Sequence, residues 1–258
     1  MLRRVSQAIF RPAANQFKRF LASRLNWPQT FVIDHFGEFR FRAASGTEVS
    51  RTLDYGLETV SLPAFLFFVR EEDIVWDIGA SVGLFTVHTA AGAAKVVAFE
   101  PDPPTFKRLQ ENVALNGLEA KVEFHAVALG ETRGQLDLES DGLDGFAPAL
   151  SQGNLRRHKR SVSVPVETID HLISQNVVSP TVIKIDIEGA ELMALRGARD
   201  LLRGPKKPRL LFVEVHPEFL KGFGSTAAEV ADLLVDSGYR VLATSQRAEQ
   251  YHLIAFAG

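Results

Sequence analysis

Cysteine is absent from the 258 residues. That excludes disulfides, thiolate metal ligands and a cysteine nucleophile, and it leaves the redox compartment undecided. No apolar run approaches the ~18 residues needed to span a bilayer. The longest, residues 62–69, contains Pro63. Neither charge dominates, with 29 Lys and Arg against 31 Asp and Glu. Residues 1–25 lack an apolar h-region, so a secretory signal peptide is not expected. There is no internal repeat. What is present is a chain with 46% hydrophobic residues, long enough for one large or two small domains with a sizeable core.

The small net charge hides an asymmetry. Residues 1–25 carry Arg3, Arg4, Arg11, Lys18, Arg19 and Arg24 and no acid, while the rest carries 23 basic and 31 acidic residues. An acidic body argues against a nucleic-acid partner. In the tail, Leu2, Val5 and Ile9, then Ala13, Phe17, Phe20 and Leu21, fall at helical spacing among the basic residues. Residues 1–25 therefore read as a basic amphipathic helical tail capable of peripheral membrane contact. A helix packed on the body is the plainer alternative. The expected location is cytoplasmic, with any membrane association made through this tail.

Residues 26–60 read as an extension built on a β-hairpin. Phe31-Val-Ile-Asp-His-Phe and Glu38-Phe-Arg-Phe-Arg-Ala flank Gly37, and the second run alternates, with Arg40 and Arg42 on its outer face. Over residues 61–258 short apolar strands alternate with helices. Strands are expected at residues 74–78, 95–100, 122–129, 181–186, 209–215, 239–243 and 251–256. Helices are expected from about residue 82 and over residues 104–115, 188–202 and 226–237. Such alternation implies an α/β fold with a mostly parallel sheet covered on both faces. The last two strands are joined by residues 244–250, too few for a helical crossover, so they should form an antiparallel hairpin. Residues 141–160 read as a mobile insertion and candidate lid, with the run Arg156, Arg157, His158, Lys159 and Arg160 solvated.

The sharpest local signal is Asp77-Ile-Gly-Ala-Ser-Val-Gly83, between the first of these strands and its helix. Gly79 suits a tight turn, and Gly83 suits close approach of backbone to a ligand facing the helix amides. The spacing is G-x-x-x-G, not the G-x-G-x-x-G that seats a pyrophosphate. Asp77 would repel a pyrophosphate but attract an ammonium or sulfonium. Glu100 ends the next strand, where a carboxylate can accept two hydrogen bonds from ribose hydroxyls. Ribose and positive charge without phosphate describe S-adenosyl-L-methionine. The plainer reading is a packing turn capped by Asp77. Two other classes remain: an NAD(P)-dependent oxidoreductase, and a non-catalytic membrane-surface or scaffold protein.

VWDIGASVGLFT (75–86), VVAFEPDP (96–103), LQENVALNGL (109–118), HAVALG (125–130), VPVETIDHL (164–172) and IKIDIEGAELMALRGA (183–198) carry a resemblance. Over roughly residues 60–220 the chain resembles class I methyltransferases of the FkbM family. The resemblance implies a Rossmann-like sheet with the hairpin as an N-terminal extension. It implies S-adenosyl-L-methionine-dependent methyl transfer, usually to a hydroxyl of a sugar or natural product. Asp77, Gly79 and Gly83, with Ala80 between them, match the cofactor loop. Glu100, followed by Pro101, matches the ribose-binding acid. Ala126 and Val127 match the border of the adenine.

Methyl transfer to a hydroxyl requires an acceptor held in line and relieved of its proton. Open α/β sheets bind ligands at the carboxyl ends of their strands. Two ends carry suitable groups: Asp186 with Glu188, and Glu214 with His216. Asp186 is expected to meet the cofactor's methionine end or the acceptor. Lys184 shares its strand parity and would lower its pKa, although that pair also reads as structural. Glu188 would start a helix, where its charge is favourable. His216, with an ordinary pKa of about 6.5, is the candidate base, and Glu214 would orient its ring. The catalytic set is thus His216, Asp186 and Glu214. No metal-ligand motif is present and no metal site is assigned, although Asp186, Glu188, Glu214 and His216 could gather a divalent cation. Tyr55 and Glu58 could line the acceptor pocket. The expected partner is a small hydroxyl acceptor: a sugar, lipid or natural product.

Overall fold

Alternating apolar residues place β1 (Gln29–Ile33) and β2 (Phe39–Ala43) in an antiparallel hairpin, with Phe31 opposite Phe41. Phe41 and Ala43 are buried while Arg40 is exposed, as the alternation requires. The computed structural model describes residues 29–33, 38–44, 47–48, 52, 58, 60–140, 142–144, 149–150, 160–245 and 250–258. The basic tail, Tyr55 and most of the 141–160 insertion lie outside them. Among the described residues no helix is long and apolar enough to cross a membrane.

After α1 (Ser61–Phe68) come β3 (Ile74–Ile78), α2 (Leu84–Gly92), β4 (Lys95–Phe99), α3 (Pro103–Leu115) and β5 (Val122–His125). Four strands of a second sheet follow: β6 (Ala128–Leu129), β7 (Gly134–Ser140), β8 (Ala149–Leu150) and β9 (Arg160–Glu167). The chain then runs through α4 (Ile169–Ser174), β10 (Val182–Ile185), α5 (Glu191–Arg196), α6 (Arg199–Arg203), β11 (Leu210–Val215) and α7 (Pro217–Leu220). It ends with α8 (Ala227–Asp236), β12 (Tyr239–Ser245) and β13 (Tyr251–Ala257).

The main sheet has the order β12-β13-β11-β10-β3-β4-β5. Strands β3, β4, β5, β10 and β11 are parallel, and β13 runs antiparallel to both its neighbours. This is the Rossmann-like sheet with a C-terminal antiparallel hairpin. Both faces are apolar because both are covered. On one, Val75, Val96, Phe85, Leu109 and Phe212 pack with Phe41 of the hairpin. On the other, Trp76, Ile78, Ile183, Leu192, Leu211 and Leu234 pack together. The hairpin is tied down by α3. Asn112 Oδ1 accepts from the Arg42 amide at 2.8 Å, Asn116 Oδ1 from the Arg40 amide at 2.8 Å, and Arg108 donates to the Arg42 carbonyl and to Glu48. These side chains occupy an edge that would otherwise offer bare amides.

Some expectations are corrected. The third strand does not run from 122 to 129. It breaks at Ala126 and Val127, and β6 leaves the main sheet to pair in parallel with β9. The helix expected over 188–202 begins only at Glu191, because Glu188 and Gly189 take φ values of +54° and +103°. It breaks again near Gly197, where a Cβ would lie 2.0 Å from the Gly130 carbonyl oxygen. The flanks of the insertion are ordered strand: β7 pairs antiparallel with β9, and Leu138, Val164 and Val166 pack with Ala128 and Ala190. Arg160 is only partly solvated, since its guanidinium pairs with buried Asp102.

Candidate active site

Because β3, β4, β10 and β11 are parallel, their carboxyl ends lie on one edge and bring the chemically marked residues together. Asp77 stands opposite Lys184 in the β3–β10 register. Its Oδ2 accepts from Thr86 Oγ1 at 2.6 Å, and its Oδ1 lies 3.3 Å from Lys184 Nζ. The ammonium that Asp77 meets is therefore internal. Lys184 Nζ also donates to the Gly79 carbonyl at 3.0 Å and lies 3.4 Å from Asp186 Oδ2. Burial opposes the charge of Lys184, but the carboxylates of Asp77, Asp186 and Glu214 outweigh burial and raise its pKa. For Asp186, burial is outweighed first by Lys184 and then by His216 and His252, so its pKa is lowered.

The loop from Gly79 to Gly83 is held by close backbone contact. Gly79 has φ +79°, and a Cβ there would lie 1.9 Å from the Asp186 carbonyl oxygen. Gly83, at φ +94°, precedes α2, and its nearest neighbour is the Leu109 side chain. In the structure these glycines thus admit protein atoms. Ser81 takes a left-handed φ of +52° without being glycine. Glu100, at the end of β4, accepts from the Ser81 amide at 2.9 Å through one oxygen and from the Asp102 amide at 2.8 Å through the other. It is buried. Pro101 is half-buried beside it, Ala80 is buried in the loop, and beyond β5 Ala126 is exposed and Val127 half-buried.

The second half of the site surrounds His216, which follows β11 and caps α7. Its Nδ1 is 2.8 Å from Glu191 Oε1, and Nε2 lies 3.7 Å from Glu188 Oε2 and 4.0 Å from Asp186 Oδ1. Its ring stacks on Phe219 with centroids 5.8 Å apart. Burial disfavours its charge, but the bond to Glu191 and the carboxylates of Glu188, Glu191 and Asp186 prevail and raise its pKa to about 10. Glu188 moves upward to about 7, chiefly through burial, which outweighs the pull of His216. The expected pairing of Glu214 with His216 does not form, because β11 ends at Val215 and the chain turns. Glu214 faces His252, its partner in the β11–β13 register, at 3.4 Å, and also bonds Gln250. Glu58 joins that pair: its ligand atom and those of Glu214 and His252 lie within 4.8 Å of one another.

Glu191 was not singled out by sequence reasoning. Three residues beyond Glu188 it reads as an ordinary helix-opening acid, and only the fold sets it against His216. The set as a whole gathers carboxylates at one sheet edge, and Asp186 and Glu188 can accept a proton or hydrogen bond. The side chains of those two acids are 27% and 25% exposed, whereas that of His216 is 6% exposed and lies behind them.

Residues 77–241 match the family described as "Methyltransferase FkbM domain". The chain is similar to the hexuronic acid methyltransferase AglP of Haloferax volcanii, 31% identical over 183 residues, covering 69% of this chain and 70% of that one. It is also similar to the 31-O-demethyl-FK506 methyltransferase FkbM of Streptomyces tacrolimicus, 25% identical over 203 residues, covering 68% and 75%. Among solved structures, precorrin-6y C5,15-methyltransferase of Geobacter metallireducens aligns at 12% identity and a TM-score of 0.46, covering 77% of this chain and 87% of that one. The chain belongs to the FkbM methyltransferase family.

Proposed function

We propose that this methyltransferase uses S-adenosyl-L-methionine to methylate a hydroxyl oxygen of a sugar or natural-product-like acceptor. The observation that carries the reading is one sheet edge bearing the Gly79 turn, Glu100 and Asp186 at the ends of three adjacent parallel strands. The residues suit the cofactor. Glu100 would take the ribose, Ala126 and Val127 would border the adenine, and the loop from Gly79 to Gly83 with Asp186 would receive the methionine end. When bound, the cofactor supplies an electrophilic methyl group on a sulfonium. The names of the relatives AglP and FkbM support an oxygen-bearing acceptor of sugar-acid or natural-product type.

The chain's own part is orientation and proton handling. Lys184 fixes Asp77 and Asp186 relative to the turn, so the loop and the acid move as one unit. Asp186 and Glu188, the partly exposed carboxylates, accept hydrogen bonds from the acceptor hydroxyl and hold its oxygen in line. His216, deeper and anchored by Glu191, faces these two acids at 4.0 and 3.7 Å. Family membership sets aside the oxidoreductase reading.

Calorimetry with S-adenosylhomocysteine tests the cofactor half. Binding should be measurable in the wild type and fall at least tenfold in Glu100→Ala. No heat at millimolar ligand would overturn it. Transfer of labelled methyl to a panel of hexoses, hexuronic acids and polyketide alcohols tests the acceptor half. Label found only on nitrogen or carbon would refute oxygen as the target.

A further inference from the structure

His216 is an almost fully buried imidazole whose two nitrogens have unequal surroundings. Nδ1 is 2.8 Å from Glu191 Oε1, an oxygen that also accepts from the Gly189 amide at 2.9 Å. A carboxylate only accepts, so Nδ1 keeps its hydrogen and a metal ion would take the place of the proton on Nε2. Among the described residues Nε2 makes no hydrogen bond, and two carboxylates lie beyond hydrogen-bond distance, Glu188 at 3.7 Å and Asp186 at 4.0 Å. One atom from each of the three residues lies within 4.8 Å of the others. Ligands about 2.1 Å from an octahedral ion are about 3 Å apart when adjacent, so both His216 separations would have to close by about 1 Å around an ion. A histidine whose distal nitrogen is fixed by a carboxylate is the usual way a protein aims the other nitrogen at a metal.

We propose that Asp186, Glu188 and His216 form a binding site for a divalent cation of the Mn²⁺ type, with Glu191 as the positioning residue behind His216. Two carboxylates and one imidazole favour an ion that accepts both oxygen and nitrogen and retains further positions. Calcium would ask for more oxygens, and a three-ligand zinc site usually carries at least two nitrogens or thiolates. Since Asp186 and Glu188 are partly exposed, the remaining positions face the space where the acceptor is read to bind. A cation there would orient and polarise the acceptor oxygen. That role rests on the functional reading above, but the site itself rests on strand-end geometry alone.

The test is Mn²⁺ titration of the chelator-treated full chain, read by electron paramagnetic resonance. One ion per chain should bind, with affinity at least tenfold weaker in Asp186→Asn and His216→Ala, and 10- to 100-fold weaker in Glu191→Gln. Circular dichroism checks that each variant folds. Should a variant fail to fold, wild-type NMR decides instead, because Mn²⁺ at this site must broaden the His216 ring protons before those of His125 or His171. Absence of binding at millimolar Mn²⁺, or binding that leaves His216 sharp, would overturn the site. S-adenosylhomocysteine calorimetry on the same sample reads the cofactor half independently, so the two failures are distinguishable.

Discussion

Lys184 is the residue on which the charge balance of the sheet edge depends, and Lys184→Met removes its ammonium while keeping most of its bulk. In the native protein Nζ lies 3.3 Å from Asp77 Oδ1, 3.4 Å from Asp186 Oδ2 and 3.0 Å from the Gly79 carbonyl oxygen. At an effective dielectric of about 20, each ion pair is worth about 5 kcal/mol before desolvation. Desolvation of buried ions takes back several kcal/mol each, so the native network is not a large net gain. The variant is different, because Asp77, 2% exposed, keeps only its bond from Thr86. Removing one member of a buried pair costs about 3–5 kcal/mol. For a chain of this size that is a fall in Tm of roughly 10 °C. Asp77→Asn should be milder, since Lys184 retains Asp186 and Gly79. In the double variant the two losses should fall short of their sum by about 1–3 kcal/mol. Urea unfolding followed by circular dichroism measures all three. A loss below about 1 kcal/mol for Lys184→Met, or additivity within about 0.5 kcal/mol, would refute the argument.

Gly79→Ala should destabilise by more than about 3 kcal/mol, because the clash is with backbone and the φ is left-handed. Gly92→Ala, where an added Cβ meets nothing within 4 Å, should be neutral or stabilising by up to about 1 kcal/mol in the same melt. Asn112→Ala removes acceptance from the Arg42 amide and donation to the Val82 carbonyl. It should cost about 2 kcal/mol and speed proteolytic release of the hairpin. His88 is buried against Phe39 and Phe41, and burial lowers its pKa from 6.5 to about 4. Below pH 6.5 the unfolded chain takes up this proton and the folded chain does not. Stability should therefore fall from pH 6.5 to about 4, by about 3 kcal/mol from this group. His88→Gln should flatten that part of the curve, and an unchanged slope would contradict the assignment.

Much of the architecture was legible because period and chemistry agree. Strand β3 was read at its actual bounds. Parallel strands buried on both faces stand out as apolar runs, and the acids that end them stand out against those runs. The failures have local causes. Strands β7 and β9 are hard to read because Gly, Pro and charge within 141–160 interrupt the alternation of Leu136 with Leu138 and of Val162 with Val164 and Val166. Helix α5 was begun too early because Glu188 has good helix propensity, yet the packing of Gly189 on Phe219 forces a left-handed turn. The link between Lys184 and Asp186 was readable from strand parity. The link from Lys184 to Asp77 required register between strands 107 residues apart, and that from His252 to Glu214 required the pairing of β13 with β11.

The two ends of the sheet use charge differently, and the contrast lies in how fully their groups are satisfied. At the amino ends Asp73 gathers the Arg70 amide at 2.7 Å, Thr181 Oγ1 at 2.7 Å and Arg209 Nε at 3.0 Å, with a second Arg209 nitrogen on its other oxygen. Each carboxylate oxygen there is bonded, and the result is a strap joining the starts of β3, β10 and β11. At the carboxyl ends more ionisable groups are crowded together and fewer are satisfied: Glu191 Oε2 is buried without a hydrogen bond, and His216 Nε2 stands off its carboxylates. An incompletely satisfied buried group costs about 1–3 kcal/mol, so such crowding persists only where the surroundings hold it. Here they do. Phe219 packs on one side of the 187–190 turn, and Ala190 is buried with Leu138, Val164 and Val166 of the second sheet on the other. The second sheet is therefore a clamp as well as an insertion. Loosening it with Val164→Ala should impair turnover through misplacement of Asp186 and Glu188 more than it impairs global stability. A variant that loses about 1–2 kcal/mol of stability but keeps full turnover on the wild-type acceptor would show that the clamp has no catalytic role.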